Sequence, residues 1–297
     1  MKVIVIGGDG LVGSALAKAL PEYSHVAYPT TRRKIPGDRR LRIDLSGPDV
    51  EQAPLPKADV AVFCAAINGF ANCRVDPALS RQVNVVGTTA LARRLVAQGT
   101  YVLLLSSTAV FDFRTPFVKA DAPVSPLNLH GQLKSETEAH FLGLGQQAAV
   151  LRLTKVLAND ATLFTTWIDA LRRGKPTTAY SDIHIAPISI NDAISAILAA
   201  CSDQGTGIYQ MSGARDISYF EALTHVAKRL GADPSLVRSA RAVDAGIPPC
   251  DVAMFTSLDC SRLQAITGRA PPDPFAVLDA VFQLTDGSVR QTVADRA

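Results

Sequence analysis

Lys2-Val3-Ile4-Val5-Ile6-Gly7-Gly8-Asp9-Gly10-Leu11-Val12-Gly13 follows the first methionine, and its reading decides the fold. The apolar run up to Ile6 reads as a strand. Glycines at 7, 10 and 13 follow at once, and Leu11–Leu20 then has helical spacing. A strand that turns through glycines into a helix suits a phosphate. The turn is tight, the backbone can approach a pyrophosphate, and the first helical amides face its charge. An ordinary strand-to-helix turn is the plainer reading, but position and flanks favour nucleotide binding. Gly7, Gly10, Leu11, Val12 and Gly13 are therefore taken as part of a dinucleotide site.

The pattern continues outward. Ser24–Tyr28, Leu41–Ile43, Val60–Cys64, Tyr101–Ser106 and Ala148–Leu153 read as strands, with helical patterns at Pro77–Gln98 and Gly131–Leu144. The strands lack strict alternation, as expected where helices cover both faces of a parallel sheet. The fold class is thus α/β, a Rossmann-type doubly wound parallel sheet occupying residues 1–155. Residues 156–297 read as a smaller substrate-binding region, with a segment near 185–201 able to rejoin the first domain. Helical patterns there cover Thr162–Arg173, Asn191–Cys201, Ser218–Leu230 and Phe275–Thr285, and Pro248-Pro249 and Pro271-Pro272 punctuate the loops.

After the second predicted strand a carboxylate would bind the ribose 2′-hydroxyl of NAD. Tyr28-Pro29-Thr30-Thr31-Arg32-Arg33 holds none. Arg32 or Arg33 can instead pair with a 2′-phosphate, which favours NADP(H) over NAD(H), unless the pair is only a solvated basic loop. Asp44 and Leu45, after the third strand, either face an adenine edge or form a strand-end turn.

Composition bounds the rest. Of 297 residues 47% are apolar and 19% charged, which excludes global disorder. A net charge of +3 is too mild for an electrostatic nucleic-acid binder. Mean hydropathy is +0.16, yet no run of 18 or so uncharged apolar residues occurs, and no membrane association is expected. The N-terminus reads as a strand, not a secretion signal. Cys64, Cys73, Cys201, Cys250 and Cys260 lack CxxC spacing, so neither a metal site nor a disulfide framework is expected, and a reducing cytoplasm is the default setting.

Further motifs appear in order: Cys64-Ala65-Ala66 ending the fourth strand, Asn84-Val85-Val86-Gly87-Thr88 in the next helix, and Ser106-Ser107-Thr108-Ala109-Val110-Phe111 after the fifth strand. Pro126-Leu127-Asn128-Leu129-His130-Gly131-Gln132-Leu133-Lys134 follows, with Glu138 beyond it. Together with the glycine turn these resemble the extended short-chain dehydrogenase/reductase superfamily. Leu151-Arg152-Leu153-Thr154, Ala186-Pro187-Ile188 leading to Asp192, and Thr256-Ser257-Leu258-Asp259 before Cys260 extend the likeness, more loosely, to dTDP-4-dehydrorhamnose reductases and related sugar-nucleotide-binding proteins.

The resemblance implies a serine or threonine, a tyrosine and a lysine as the catalytic set. Ser107 would bond the substrate carbonyl, and Lys134 would hold the nicotinamide ribose. His130 stands at the tyrosine position. Cys64, Ala65, Ala66, Asn84 and Lys134 would line the cofactor. Arg74 replaces a glutamate common in relatives, which alters the charge near the mouth of the site. Histidine starts near ~6.5 and the Lys134 cation lowers it, so imidazolium is scarce at neutral pH. His130 is then either an alternative acid/base or a space-filler in a silent protein.

Two functions stay open. One is an NADP(H)-dependent reductase of a carbonyl on a nucleotide-activated deoxysugar or similar polar ketone. The other is a catalytically silent NADP-binding regulatory or scaffolding protein. The expected partner is a nucleotide sugar, with a homodimer possible. Glu136 and Glu138 read as a solvated helix face, Trp167 as core or pocket wall, and His184 and His225 as surface or structural residues.

Overall fold

The structure, a computed structural model, describes residues 1–33 and 40–285. Its centre is a parallel sheet of seven strands: β1 (Lys2–Ile6), β2 (Val26–Thr31), β3 (Leu41–Arg42), β4 (Val60–Phe63), β5 (Tyr101–Ser107), β6 (Ala148–Leu153) and, far downstream, β11 (Gly207–Met211). Their order is β11-β6-β5-β4-β1-β2-β3. β1 pairs with β2 on one side and, after the chain has passed through β3, with β4 on the other, so the strand order reverses beside β1. The carboxyl ends of these strands therefore border the crevice where doubly wound sheets bind ligands.

The central strands are mostly apolar because both faces are covered. Val3 and Val5 of β1 pack with Leu16 of α1 (Leu11–Ala19) and with Ala193 and Ile197 of α8 (Ile190–Asp203). Ile4 and Ile6 point the other way, to Leu91 and Leu95 of α5 (Thr88–Ala97) and Phe141 of α6 (Leu129–Leu142). Leu103 and Leu105 of β5 join the first set and Val102 and Leu104 the second. Two-residue periodicity survives as a choice of face, not as a change of polarity.

Two elements differ from expectation in ways that bear on the site. Ser24 lies in the left-handed region at φ +60°, closing a 3-10 turn over Leu20–Tyr23, so the second strand begins at Val26 and runs on through Pro29. The outer strand β3 pairs only from Thr30 onward, so Pro29 removes no ladder bond on that side. The single helix expected over Pro77–Gln98 is interrupted: α4 (Pro77–Arg81) passes into a π-helical turn at Gln82–Gly87 before α5. A short α3 (Phe70–Val75) precedes it. One more short helix, α2 (Asp49–Gln52), lies between β3 and β4.

The later part of the chain carries three two-stranded sheets. β7 (Val156–Leu157) pairs with β10 (Ile188–Ser189), β8 (Thr177–Tyr180) with β13 (Val237–Ala240), and β9 (His184–Ile185) with β12 (Ile217–Ser218). Trp167 and Phe164 of α7 (Thr162–Arg172), Leu223 and Val226 of α9 (Tyr219–Leu230), and Leu278 of α11 (Pro274–Phe282) form a separate apolar core. Trp167 is core, as its helical spacing suggested. α8, β11 and Leu263 of α10 (Ser261–Thr267) instead pack on the central sheet. Among the described residues no helix is long and apolar enough to cross a membrane.

Candidate cofactor and active site

The glycine turn leaves β1 at the crevice. Gly7 has φ +88°, and a Cβ there would meet Ala65 backbone atoms at 2.7 Å; one on Gly13 would meet the Gly7 carbonyl oxygen at 2.2 Å. These two glycines let β1, α1 and the end of β4 close on each other. A Cβ on Gly10 would meet only the Gly7 oxygen, at 3.6 Å. That backbone is open, and the Leu11, Val12 and Gly13 amides have no partner within their own helix. The residues thus fit a pyrophosphate.

The end of β2 is tied to this turn. The Gly7 amide donates to Thr30 Oγ1 (3.0 Å) and the Gly8 amide to the Thr30 carbonyl (2.9 Å). Asp9 accepts from Thr31 Oγ1 at 2.6 Å and pairs with Arg40. The Thr31 bond, with help from the Arg40 and Arg33 cations, holds the Asp9 carboxyl below the usual aspartate value. A carboxylate therefore does stand beside the end of β2, supplied by the glycine turn and not by the strand itself. Arg32 and Arg33 are exposed at the same end. Asp44 accepts from the Ser46 amide (2.9 Å) and hydroxyl (2.6 Å), which makes it a turn former, while Leu45 is buried.

Across the crevice, the π-helical turn carries Asn84. Its side chain accepts from the Ile67 amide (2.7 Å) and donates to the Ile67 carbonyl (2.9 Å), bracing the loop that follows Cys64, Ala65 and Ala66. The Asn84 carbonyl in turn accepts from Thr137 Oγ1 of α6 at 2.8 Å.

α6 places the remaining groups. Asn128 caps it by accepting from the Gly131 amide at 3.0 Å. A Cβ on Gly131 would lie 2.0 Å from the Ala109 carbonyl oxygen, so glycine lets α6 lie directly on the turn Thr108–Val110 after β5. His130 and Lys134, four residues apart, share the face turned to that strand end. Ser107 Oγ accepts from the Ala109 amide at 3.1 Å, which leaves its own proton free to donate. Lys134 Nζ donates to the Leu105 carbonyl at 2.8 Å. Burial brings its ammonium down to about 8. Burial also pushes the Cys64 thiol beside it up to about 12.

His130 is 4% exposed. Its Nδ1 faces the buried Cys73 thiol at 3.7 Å, and Phe70 packs against the ring at 5.9 Å between centroids. Cys73 Sγ also lies 3.3 Å from the Ile67 carbonyl. Nδ1 is the ring atom that meets the protein, and among the described residues Nε2 has no hydrogen-bond partner. Burial first, and the Lys134 cation second, lower the imidazole to about 4. At neutral pH the ring is uncharged.

Two expectations are corrected. Glu138 is not on a solvated face. It is buried and holds Arg152 of β6 through Nε (3.0 Å) and Nη2 (2.7 Å), because Arg152 emerges from the sheet directly beneath α6. Glu136 pairs at the surface with Arg81. Arg74 brings no unbalanced charge, since Asp251 takes its guanidinium with both oxygens, at 3.1 and 2.7 Å. Asp9, Thr30, Cys73 and Asp251 were missed by sequence reasoning. Only Asp9 carried a signal, its place inside the glycine turn.

A family model described as the RmlD substrate binding domain matches residues 1–283. The chain belongs to that family. Its fold is that of the extended short-chain dehydrogenases/reductases. Methionine adenosyltransferase 2 subunit beta of Xenopus tropicalis is 26% identical over 314 residues, covering 98% of this chain and 91% of that protein. A dTDP-4-dehydrorhamnose reductase of Bacillus anthracis in complex with NADP superposes with a TM-score of 0.80 at 17% identity, covering 96% of this chain and 98% of the other. MoeE5 in complex with UDP-glucuronic acid and NAD also gives 0.80, at 21% identity, covering 98% of this chain and 100% of the other.

Proposed function

We propose that this family member is an NADP(H)-dependent reductase of a carbonyl on a nucleotide-activated sugar. The observation that carries the reading is the set on one strand end: the Ser107 hydroxyl free to donate, the Lys134 ammonium on the Leu105 carbonyl, and His130 one turn before Lys134 on the same helix, its Nε2 without a hydrogen-bond partner among the described residues. The glycine turn and Asn84's loop would hold the dinucleotide, and Lys134 its nicotinamide ribose. A reduced nicotinamide bound there supplies a hydride to the carbonyl carbon. Ser107 polarises the carbonyl oxygen, and that oxygen gains a proton as it becomes a hydroxyl. A neutral imidazole is a poor source of that proton, whereas the Lys134 ammonium titrates at about 8. Lys134 is then the proton reservoir, with His130 Nε2 or a water carrying the last step.

Arg32 and Arg33, exposed at the end of β2, support NADP(H) over NAD(H). Replacing both with alanine should weaken NADPH about tenfold or more while leaving NADH nearly unchanged. Calorimetry of the unmodified protein showing equal affinities would reject that preference.

The second reading, a silent dinucleotide-binding subunit, is favoured by the uncharged His130 and by the Xenopus relative, itself named as a subunit. One assay separates the two: NADPH consumption with a panel of nucleotide ketosugars. The enzyme reading expects turnover that falls about 100-fold in His130→Ala with NADPH affinity retained. No turnover by the native protein, together with a gain in His130→Tyr, would establish the silent one.

A further inference from the structure

Lys155 lies past the end of β6, two residues beyond Leu153, and Leu153 is the register partner of Ser107. It therefore borders the same strand end as the proposed reacting groups, one strand over. At most about 7 Å of chain separates it from Leu153. Its backbone is pinned: its carbonyl accepts from the Ile188 amide at 2.9 Å, the preceding Thr154 hydroxyl donates to the Ala186 carbonyl at 2.6 Å, and Val156 enters the pairing of β7 with β10.

Its side chain is exposed to solvent, and partial desolvation lowers its ammonium from the usual lysine value. Among the described residues no carboxylate answers it. Acids of the neighbouring elements are committed elsewhere: Glu138 to Arg152, Asp192 to Ser189, and Asp216 to Thr256 and Ser257. A cation held on a fixed backbone beside the crevice, with no carboxylate paired to it among the described residues, is suited to receive an anion.

We propose that Lys155 recognises a carboxylate on the sugar ring itself, so that the substrate is an acidic, uronic-acid-type nucleotide sugar. This rests on the nucleotide-sugar reading above and narrows it. The diphosphate is the competing anion, but it lies on the nucleotide side of the sugar, whereas Lys155 sits beside the strand end that would hold the reacting carbon.

The test compares UDP-glucuronic acid with UDP-glucose, and the corresponding thymidine diphosphate sugars, by calorimetry in the presence of NADPH. The acidic sugar should bind about tenfold or more tightly than the neutral one. Lys155→Met and Lys155→Gln should remove that margin, bringing the acidic sugar to the affinity of its neutral counterpart. Equal affinities in the native protein, or a margin that survives both substitutions, would overturn the inference. A loss that is equal for both sugars would also overturn it and assign Lys155 to the diphosphate. If neither sugar binds, the nucleotide-sugar reading fails first and this one falls with it.

Discussion

His130 shows how one residue's setting outweighs its chemical type. Histidine is the side chain most suited to proton transfer near neutrality, but here its ring is walled in by Phe70 and Cys73, and burial holds it at about 4. That depressed value has a consequence for stability. The unfolded chain, with its imidazole near ~6.5, binds a proton that the folded one refuses. His130's contribution is therefore complete above pH 6.5 or so and is lost as pH falls toward 4. The loss amounts to about 3 kcal/mol. Urea unfolding of native protein and His130→Phe at pH 7 and pH 4 should show the variant losing that much less. Parallel pH curves would reject the buried neutral ring. The place of His130, four residues before Lys134, was legible in the sequence. Its environment was not, because Cys73 lies 57 residues away and no spacing rule links them.

At the scale of elements, the glycine turn separates two kinds of glycine that the sequence presents as equivalent. Gly13 packs, with the Gly7 carbonyl where its Cβ would be, and Gly10 faces open crevice. Gly13→Ala should cost about 2 kcal/mol or more through overpacking and lower the unfolding midpoint. Gly10→Ala should leave that midpoint close to native but reduce NADPH affinity at least about tenfold, its methyl standing where the phosphates approach. Retained tight binding by Gly10→Ala would mean that the turn is merely structural. Position relative to a strand and a helix made the turn readable. α6 was readable as a helix but not as a surface map. Its acidic residues look solvated until β6, reached by a later chain reversal, sets Arg152 beneath Glu138. Sequence periodicity reports which residues share a face, and it does not report what the next element brings to that face.

At the scale of the molecule, the seventh strand and the ties between the two parts were the least visible features. β11 is short, and its buried Gln210 breaks an apolar run; that side chain donates to the Val118 and Asp259 carbonyls at 2.8 and 3.0 Å. Thr256-Ser257-Leu258-Asp259 was legible in the sequence only as part of a resemblance. Asp216 gives it a structural role. Its carboxylate accepts from the Thr256 amide (2.6 Å) and hydroxyl (3.0 Å) and from the Ser257 amide (3.1 Å) and hydroxyl (2.6 Å). The fixed Thr256 then accepts from the Ala186 amide at 2.7 Å, and its carbonyl accepts from Thr108 Oγ1 at 3.1 Å, beside Ser107. One carboxylate thus links the β12 end of the later region to the turn that carries the proposed carbonyl-binding serine. Bonds to a charged acceptor contribute roughly 1.5–3 kcal/mol each, net of exchange with water, so cutting this node should loosen the segment without unfolding the sheet. In Asp216→Ala, hydrogen exchange at the Thr256 and Ser257 amides should quicken by about 100-fold. NADPH affinity should stay within about twofold, since the glycine turn lies on the other side of β5. Nucleotide-sugar affinity should drop by more than that, because the proposed substrate would reach the Ser107 end of β5 past this segment. Unchanged exchange would show the segment to be held by its apolar contacts instead, with Leu258 packed on Val110 and Phe111 as the anchor.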